Sequence, residues 1–540
     1  MQLIFHNGRV ITADSGRPAA QAVAVRKGVI AAVGGDDEIL ALKNAETGVI
    51  DLGGRSLLPG FNDSHMHLIG HALTASKVDL RPCTGIEDLV RAVQVFIEER
   101  AVKNGEWVLG WGWDQSRFSE KRMPDRRDLD RAAPDNPVSI MRNCCHICVA
   151  NTTALQKAGI DQQPRSIEGG KVETDLKGVP TGVLEENAMQ LVMGLLPPLD
   201  SEKLKALVKE AAGEFLAEGL TSVQTDDLAQ LGSELAPALF EAYRELESSG
   251  SLPLRVNLQL LLPTVRELQE FLNRGCLTGQ GGEYFKVGPL KLLTDGSLGG
   301  QTALLSTPYE NSPGTCGVAV LSRGELQQLV DLAHHSGMQV AAHAIGDAAI
   351  EMVLDAYEEA ARRHPVPDPR FRVIHASLLR PDLLERFEKL GVLADIQPAF
   401  VSTDHLSIGN HIGAGRTSWA YRWRDLIDCG IMTGCGSDCP VEYYGPLETI
   451  YSAVTRQDKN GNPPGGWFPA QKLTLEEAIY IYTMGSAYCS YEEKIKGSIT
   501  PGKLADLVVL SEDITAADPS RLKDVRVDMT IVGGRIAFQR

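Results

Sequence analysis

Hydrophobic residues at both ends of the chain occur in short runs that glycines separate. The first 56 residues contain the runs 3–5, 10–12, 22–25 and 30–33, with Asn-Gly and Lys-Gly turns among them. Residues 497–540 repeat this pattern, with Gly533-Gly534 as a turn. Such runs are typical of antiparallel strands. Because the two termini of a domain often lie close together, we predict one composite β-sandwich built from residues 1–56 and 497–540.

From about residue 203 onward, helical periodicity alternates with short apolar runs. Seven of these runs have the length expected of buried strands, and the apolar segment that ends at His67 adds an eighth. The seven runs are 221–224, 255–262, 287–293, 339–343, 372–375, 393–397 and 432–437. This alternation predicts an α/β fold, a (β/α)8 TIM barrel over residues 57–496. The active site of such a barrel lies at the C-terminal ends of its strands.

A segment at about 68–210 interrupts the alternation. It contains an amphipathic stretch at 86–103, an aromatic run from Trp107 to Trp113, and a hairpin pattern at 169–184. We interpret this segment as a large insertion over the mouth of the barrel.

The composition is that of an ordinary globular protein, with 43% hydrophobic and 23% charged residues among 540. The formal net charge of -17 argues against a nucleic-acid partner. The N-terminal sequence lacks a basic leader followed by an apolar run, and no apolar stretch reaches membrane-spanning length, so we expect a cytoplasmic protein. We therefore expect a small-molecule substrate and neither a nucleic-acid nor a membrane partner, and we leave open a homodimer.

The ten cysteines are scattered and do not indicate a disulfide framework. The run Cys144-Cys145-His146-Ile147-Cys148 contains the residue types of a zinc site. Adjacent cysteines do not form the C-x2-C pairs that a structural zinc site needs, so we do not interpret the run as one.

The segment L-L-P-G-F-N-D-S-H-M-H, residues 57–67, is read as one apolar strand that ends in two histidines. Side chains alternate between the faces of a strand, so His65 and His67 project the same way and can bind one ion. An isolated pair of this kind is more often simply solvated, but Asp63 is near enough to hydrogen-bond one of the imidazoles. Further ligands downstream would decide in favour of a metal.

Four such residues occur at the later strands. Lys291 lies in the fourth strand, His343 ends the fifth, His375 ends the sixth, and Asp438 closes the eighth. Each alone has a structural explanation: a helix cap for Asp438, a packed core histidine, or a lysine that extends to solvent. Their common position at the strand ends of one barrel favours metal binding.

With these motifs the chain resembles the amidohydrolase superfamily and, within it, the YtcJ-like (amidohydrolase 3) branch. The resemblance covers nearly the whole chain and rests on P-G-F-N-D-S-H-M-H, K-L-L-T-D-G-S, A-H-A-I-G-D, V-I-H-A-S and G-S-D-C-P. It implies a metal-dependent hydrolase that acts on an amide or another carbon-nitrogen bond, other than a peptide bond, of a small molecule.

The resemblance also implies a ligand set. His65 and His67 would hold one metal, His343 and His375 a second, and Lys291, as its CO2 adduct (a carboxylated lysine), would bridge them. Asp438 would bind one metal and act as the general base toward a metal-activated water. Nitrogen and oxygen ligands suit two zinc ions per chain, with manganese, iron or nickel as alternatives.

Three further residues are candidates to bind substrate: His146, Gln397 and Arg422. A packing or surface role is equally open for each of them. The segment from Phe400 to Arg424 is interpreted as a lid loop after the seventh strand.

Two other functions remain open on this scaffold. A deaminase of an amino-heterocycle would carry a glutamate three residues after the histidine of the fifth strand, but Gly346 occupies that position and Asp347 follows it. This difference favours the hydrolase. A non-catalytic amidohydrolase-like barrel is the third possibility, and the complete set of candidate ligands counts against it.

Overall fold

The computed structural model describes residues 2–143, 146–165, 167, 170–197 and 199–540. Cys144, Cys145 and Gly169 lie outside the described residues, so the zinc interpretation of the first two and the predicted start of the hairpin do too. The chain forms two compact units. One comprises Met1–His71 and Ser201–Arg540, and the other comprises Ala72–Asp200.

Eight parallel strands form a nearly closed barrel in the first unit, which confirms the predicted fold class. In chain order they are β1 (Phe61–Met66), β2 (Leu220–Thr225), β3 (Arg255–Leu261), β4 (Phe285–Leu293), β5 (Val340–Ala344), β6 (Arg372–His375), β7 (Leu393–Ile396) and β8 (Thr433–Cys435). Each strand pairs in parallel with the next in sequence. Their residues are nearly all buried, as expected for parallel strands covered on both faces.

The seam between β8 and β1 carries no β-ladder in the described part of the chain, and loop backbone closes it instead. The N–H of Asp438 donates to the carbonyl of His65 over 2.8 Å, and the N–H of His67 donates to the carbonyl of Cys439 over 2.8 Å. Gly436 permits this approach, because a Cβ there would lie 2.6 Å from the backbone nitrogen of His65. The seam therefore fixes Asp438 beside the two histidines.

The segment 57–67 forms two strands rather than the single strand that its apolar pattern predicts. Ser56–Pro59 pairs with strands of an outer sheet, and β1 begins the barrel after Gly60. Pro59 has no N–H to continue a ladder. Gly60 allows a close crossing, since a Cβ there would lie 2.3 Å from Oγ1 of Thr221.

Strands from both ends of the chain share a six-stranded sheet. Its order is Arg535–Gln539, Val527–Val532, Leu507–Leu510, Ser56–Pro59, Arg9–Ile11 and Ala19–Ala20. A four-stranded sheet has the order Val29–Gly34, Ala22–Arg26, Gln2–His6 and Thr47–Asp51. Buried side chains of both sheets, such as Phe5, Val23 and Val509, form one apolar cluster.

The helices of the first unit begin and end at recognisable signals. Ser322 and Glu325 form a capping box before Arg323–His335, and Pro381–Leu390 starts with proline and ends at left-handed Gly391. The other helices are Asp36–Leu40, Ser201–Ala217, Leu228–Leu231, Ala236–Ser248, Val265–Leu272, Asp347–Arg363, Val401–Asp404, Ile408–Ile412, Trp423–Asp428, Pro446–Thr455, Leu475–Tyr480 and Ser486–Cys489, with a π-helical turn at Ile481–Gly485 and 3-10 turns at Ser233–Leu235, Pro398–Phe400, Thr417–Trp419, Pro469–Gln471 and Pro519–Asp524. Helix Leu68–Ala75 crosses the boundary between the units.

The second unit is a six-stranded sheet with helices. The strand order is Gly170–Thr174, Pro180–Glu186, Ile147–Ala150, Val138–Arg142, Val108–Trp113 and Val78–Asp79. Its helices are Ile86–Glu99, Arg126–Ala132, Thr152–Ala158 and Gln190–Met193, with a 3-10 turn at Asn187–Met189. Trp113 lies fully buried in its core. Across the described residues of both units, every helix is too short or too polar to cross a bilayer.

Candidate metal centre

His65, His67 and Asp438 converge at the C-terminal end of the barrel. Oδ1 of Asp438 lies 3.3 Å from Nε2 of His65 and 3.2 Å from Nε2 of His67. One donor atom from each residue falls within 4.8 Å of the others, and His65 and Asp438 are buried. Two imidazole nitrogens and one carboxylate oxygen at this separation fit a divalent metal ion.

The tautomers of both histidines suit metal binding. Nδ1 of His65 donates to Oε1 of Gln259 over 2.9 Å, and Nδ1 of His67 donates to the carbonyl of Asp226 over 2.7 Å. Because these oxygens can only accept, each neutral imidazole carries its proton on Nδ1. Its Nε2 lone pair then faces Asp438, which is the arrangement seen in most histidine ligands.

His343 and His375 form a second pair beside the first. Their ring centroids are 4.5 Å apart, and the ring of His375 lies 5.6 Å from that of His65. Nδ1 of His375 donates to Oε1 of Gln397 over 2.8 Å, which leaves its Nε2 as the metal-binding atom. Nε2 of His343 lies 3.3 Å from the carbonyl oxygen of Gly296. If Nε2 carries the proton and donates it to this oxygen, the lone pair of Nδ1 is available to a metal ion.

Lys291 lies between the first histidine pair and a carboxylate that the sequence did not single out. Its side chain is buried, with Nζ 3.4 Å from Nε2 of His65 and 3.2 Å from Oδ2 of Asp226. Asp226 follows β2 directly. The signal that could have identified it is the same one used for Asp438, an acidic residue at the C-terminal end of a barrel strand.

Two buried carboxylates hold the backbone around the centre. Asp63 accepts hydrogen bonds from the N–H groups of His65 and Ser437 over 3.1 and 3.0 Å and from the hydroxyl of Tyr482 over 3.1 Å. Burial raises the pKa of Asp63 to about 7. Asp295 accepts from the N–H groups of Leu304 and of residues 345 and 346. Both side chains act on the loops that carry the candidate ligands.

The electrostatics favour a neutral His65 and a neutral His375 beside an ionised Asp438. At His67, burial would lower the pKa, but the contact with Asp438 outweighs it and raises the pKa of that imidazole. Burial lowers the pKa of His65 to about 4 and that of His375 well below its usual value. Burial alone would raise the pKa of Asp438, but protons on Nε2 of His65 and His67, at the position that a bound metal ion would otherwise take, hold it well below the ordinary range. Neutral imidazole is the form that binds metals, and an ionised carboxylate can accept a proton.

The three predicted substrate residues have other partners in the structure. Gln397 is buried behind His375, and Nε of Arg422 donates to Asp425 over 2.6 Å. His146 lies in the second unit, is exposed, and has Nδ1 3.0 Å from Oε2 of Glu186. A role of these residues in substrate binding stays a prediction.

A cavity of about 420 Å³ opens over the centre. It is lined by His343, His375, Asp438, Leu293, Leu298, Ile345, Phe400, Val441, Tyr421, Ser297, Thr403, Asp295, Asp404 and Glu442 together with Gly296 and Gly299. Phe400, Thr403, Asp404 and Tyr421 come from the segment predicted as a lid. The cavity is of the size that small-molecule sites usually have.

A model of the amidohydrolase family matches residues 48–538. The chain belongs to this family. It is 35% identical over 542 residues to YtcJ of Bacillus subtilis (strain 168), a protein of the same family, with 100% of both chains covered. This match confirms the predicted branch.

Two more comparisons describe this amidohydrolase. It is 28% identical over 572 residues to the N-substituted formamide deformylase of Arthrobacter pascens, covering 100% of this chain and 98% of the relative. The crystal structure of an uncharacterized metal-dependent hydrolase from Pyrococcus furiosus superimposes with a TM-score of 0.77 at 30% identity, covering 96% of this chain and 100% of the other. The chain is therefore a hydrolase of the amidohydrolase family with the fold of metal-dependent members.

Proposed function

We propose that this amidohydrolase hydrolyses an amide or another non-peptide carbon-nitrogen bond of a small molecule, using two divalent metal ions, with zinc as the first choice. The observation that carries the proposal is the convergence of His65, His67 and Asp438, beside a cavity that Asp438, His343 and His375 line. The name of the Arthrobacter relative supports the bond type, since an N-substituted formamide is cleaved at its C-N bond.

Six side chains would hold the metal ions. His65 and His67 would bind the first ion, His343 and His375 the second, and Asp438 one of the two. Lys291 would react as its neutral amine with CO2, forming an N–C bond and releasing a proton, and the resulting carbamate would supply oxygen ligands to the ions. Bound in this way, the ions supply a more acidic water and polarise the scissile carbonyl.

The residues of the chain supply the proton transfers. The ionised carboxylate of Asp438 accepts the proton of the attacking water and delivers it to the leaving nitrogen. The ring of Phe400 stacks on His375 with centroids 5.7 Å apart, and this apolar side of the cavity helps to exclude bulk water.

The position of Gly346 favours the hydrolase over the deaminase. A Cβ on Gly346 would lie 2.0 Å from the backbone oxygen of Leu304. The catalytic glutamate of a deaminase therefore has no room at this position without displacement of the loop that contains Leu304.

The test combines metal analysis with a substrate screen. We expect about two metal ions per purified chain, in keeping with a two-metal site, and release of amine from N-acyl, N-formyl or cyclic amide compounds. Ammonia from amino-heterocycles without amide cleavage would instead indicate the deaminase. Metal-free protein that takes up no added zinc would indicate a non-catalytic barrel. The matched control is His335→Asn, since His335 lies in a surface helix and its loss should change neither metal content nor turnover.

A further inference from the structure

Apart from its two histidines, the ionisable side chains that line the cavity over the metal centre are all acidic. Besides the candidate ligand Asp438, three carboxylic acids line it: Asp295, Asp404 and Glu442. In the part of the chain that the structure describes, no lysine or arginine lines it. Nearly all polar side chains around the cavity are hydrogen-bond acceptors or neutral hydroxyls. They are therefore suited to a ligand that donates hydrogen bonds.

Asp295 is not available to such a ligand. Its Oδ2 accepts hydrogen bonds from the N–H groups of Leu304 and Gly346, each over 2.8 Å, and its Oδ1 accepts one from Ile345 over 3.1 Å. The carboxylate thus satisfies the backbone of two loops. Asp404 and Glu442 remain as the acidic groups that can face a substrate.

These two acids each have a neutral hydroxyl as partner. The hydroxyl of Tyr421 donates to Oδ2 of Asp404, and Oγ1 of Thr403 donates to Oε1 of Glu442 over 2.9 Å. Burial raises the pKa of both carboxyl groups, and the hydrogen bonds from Tyr421 and Thr403 offset only part of this effect. A carboxylate accepts up to about four hydrogen bonds, so one hydroxyl leaves most of its acceptor positions free.

The remaining wall of the cavity is apolar. Phe400 covers His375, and the side chains of Leu293, Ile345 and Val441 complete this surface. An apolar surface lowers the local dielectric and strengthens the interaction of a bound charge with Asp404 and Glu442. The body of a ligand would therefore contact apolar side chains, and a charge on the ligand would interact strongly with Asp404 and Glu442.

We propose that Asp404 and Glu442 select substrates with a compact apolar body and an ammonium group, or another N–H donor, away from the scissile bond, and exclude substrates with a carboxylate there. This inference rests on the proposed hydrolase function for its turnover readout. Its binding readout is independent of that function.

The experiment uses three N-benzylformamides that carry an aminomethyl, an ethyl or a carboxylate group in the para position. They are similar in size and differ in charge. We expect kcat/KM for the cationic compound to exceed that of the neutral one, and kcat/KM for the anion to fall at least about tenfold below the neutral value, because like charges in a buried site repel strongly.

Two variants assign the preference to the acids. In Glu442→Gln and Asp404→Asn, the ratio of kcat/KM for the cation to that for the anion should fall about tenfold or more, since each substitution removes one negative charge. Glu270→Gln is the matched control. Glu270 is an exposed acid that lines a different cavity, shared with neither Asp404 nor Glu442, and its substitution should leave the ratio unchanged.

Calorimetric binding of the same three compounds separates the two proposals. If the native protein binds the cation most tightly but hydrolyses none of the compounds, the hydrolase proposal fails and the selectivity proposal stands. Equal binding of all three compounds, tighter binding of the anion, no binding of any compound, or an unchanged ratio in both acid variants would overturn the selectivity proposal whether or not turnover is seen.

Discussion

Gln259 provides the sharpest test of how the barrel interior prepares the metal centre. It is fully buried on β3, where its Oε1 accepts from Nδ1 of His65 over 2.9 Å and its Nε2 donates to the carbonyl of Ser64 over 2.9 Å. Leucine has a similar volume and can do neither. In Gln259→Leu, His65 would lose the bond that fixes both its ring orientation and its tautomer.

The structure sets the size of the effect on stability. A buried group left without a partner costs about 1–3 kcal/mol. The carbonyl of Ser64 keeps a second donor, Nη2 of Arg372 at 2.8 Å. The substitution therefore leaves only the ring Nδ1–H of His65 without a partner. We therefore expect a loss of about 1–3 kcal/mol in the free energy of unfolding, not twice that.

The effect on metal binding is separate from the effect on stability. Removal of the partner that orients a histidine ligand typically weakens metal binding by about 10- to 100-fold. Competition with a chromogenic chelator measures the zinc affinity, and urea unfolding of the metal-free protein measures the stability.

Gln224→Leu is the matched control. Gln224 is also fully buried, on β2, with Nε2 donating to Ser486 over 2.7 Å and Oε1 accepting from Arg372 over 2.8 Å, and it contacts no histidine in these bonds. This variant should be destabilised at least as much, because it removes an acceptor from the buried guanidinium of Arg372, and it should keep its zinc affinity. Native zinc affinity in Gln259→Leu, or equal weakening in Gln224→Leu, would refute the reasoning.

Other changes test the remaining assignments. Asp438→Asn should lower kcat by about 10²- to 10⁴-fold while at least one metal stays bound, because an amide cannot accept the proton; metal analysis and kinetics check this. Lys291→Ala should reduce bound metal from about two ions to one or fewer and abolish turnover, and two retained ions would exclude a bridge. Glu492 has a pKa of about 2 against an ordinary 4.5, since two neighbouring lysines outweigh its burial. Its contribution to stability is therefore present above pH 4.5 and lost as the pH falls toward 2. Between these pH values, the free energy of unfolding of Glu492→Gln should fall less than that of the unchanged protein, by up to roughly 3 kcal/mol. Deletion of residues 497–540 should turn Ser56–Pro59, an interior strand of its sheet, into an exposed edge and cause aggregation, which light scattering would detect.

The barrel could be predicted because its strands are buried on both faces and are therefore apolar along most of their length. The same pattern misled at Gly60, where two different sheets meet without a polar residue between them. Apolar composition indicates burial but does not indicate which sheet buries a strand. Only the close approach to Thr221, which a side chain at Gly60 would prevent, reveals the crossing.

The candidate ligands were recognisable because they are polar residues at apolar strand ends, whereas their supporting groups were not. Gln259 lies in the alternating run Leu258-Gln259-Leu260, which is equally typical of a strand with one face in water. Its contact with His65 depends on the register of β3 across the barrel interior. That register is set by tertiary packing and cannot be predicted from a single sequence.

The pairing of Lys291 with Asp226 bears on how the proposed carbamate could form. As an ammonium, Lys291 is attracted to Asp226, whose Oδ2 lies 3.2 Å from Nζ. As a carbamate, the same side chain would place a negative charge beside that carboxylate, and two like charges about 4 Å apart repel by roughly 4 kcal/mol at an effective dielectric constant of 20. Cations between the two groups would reverse the sign of this interaction. Carbamate formation and metal binding are therefore expected to be coupled, so that neither proceeds far without the other.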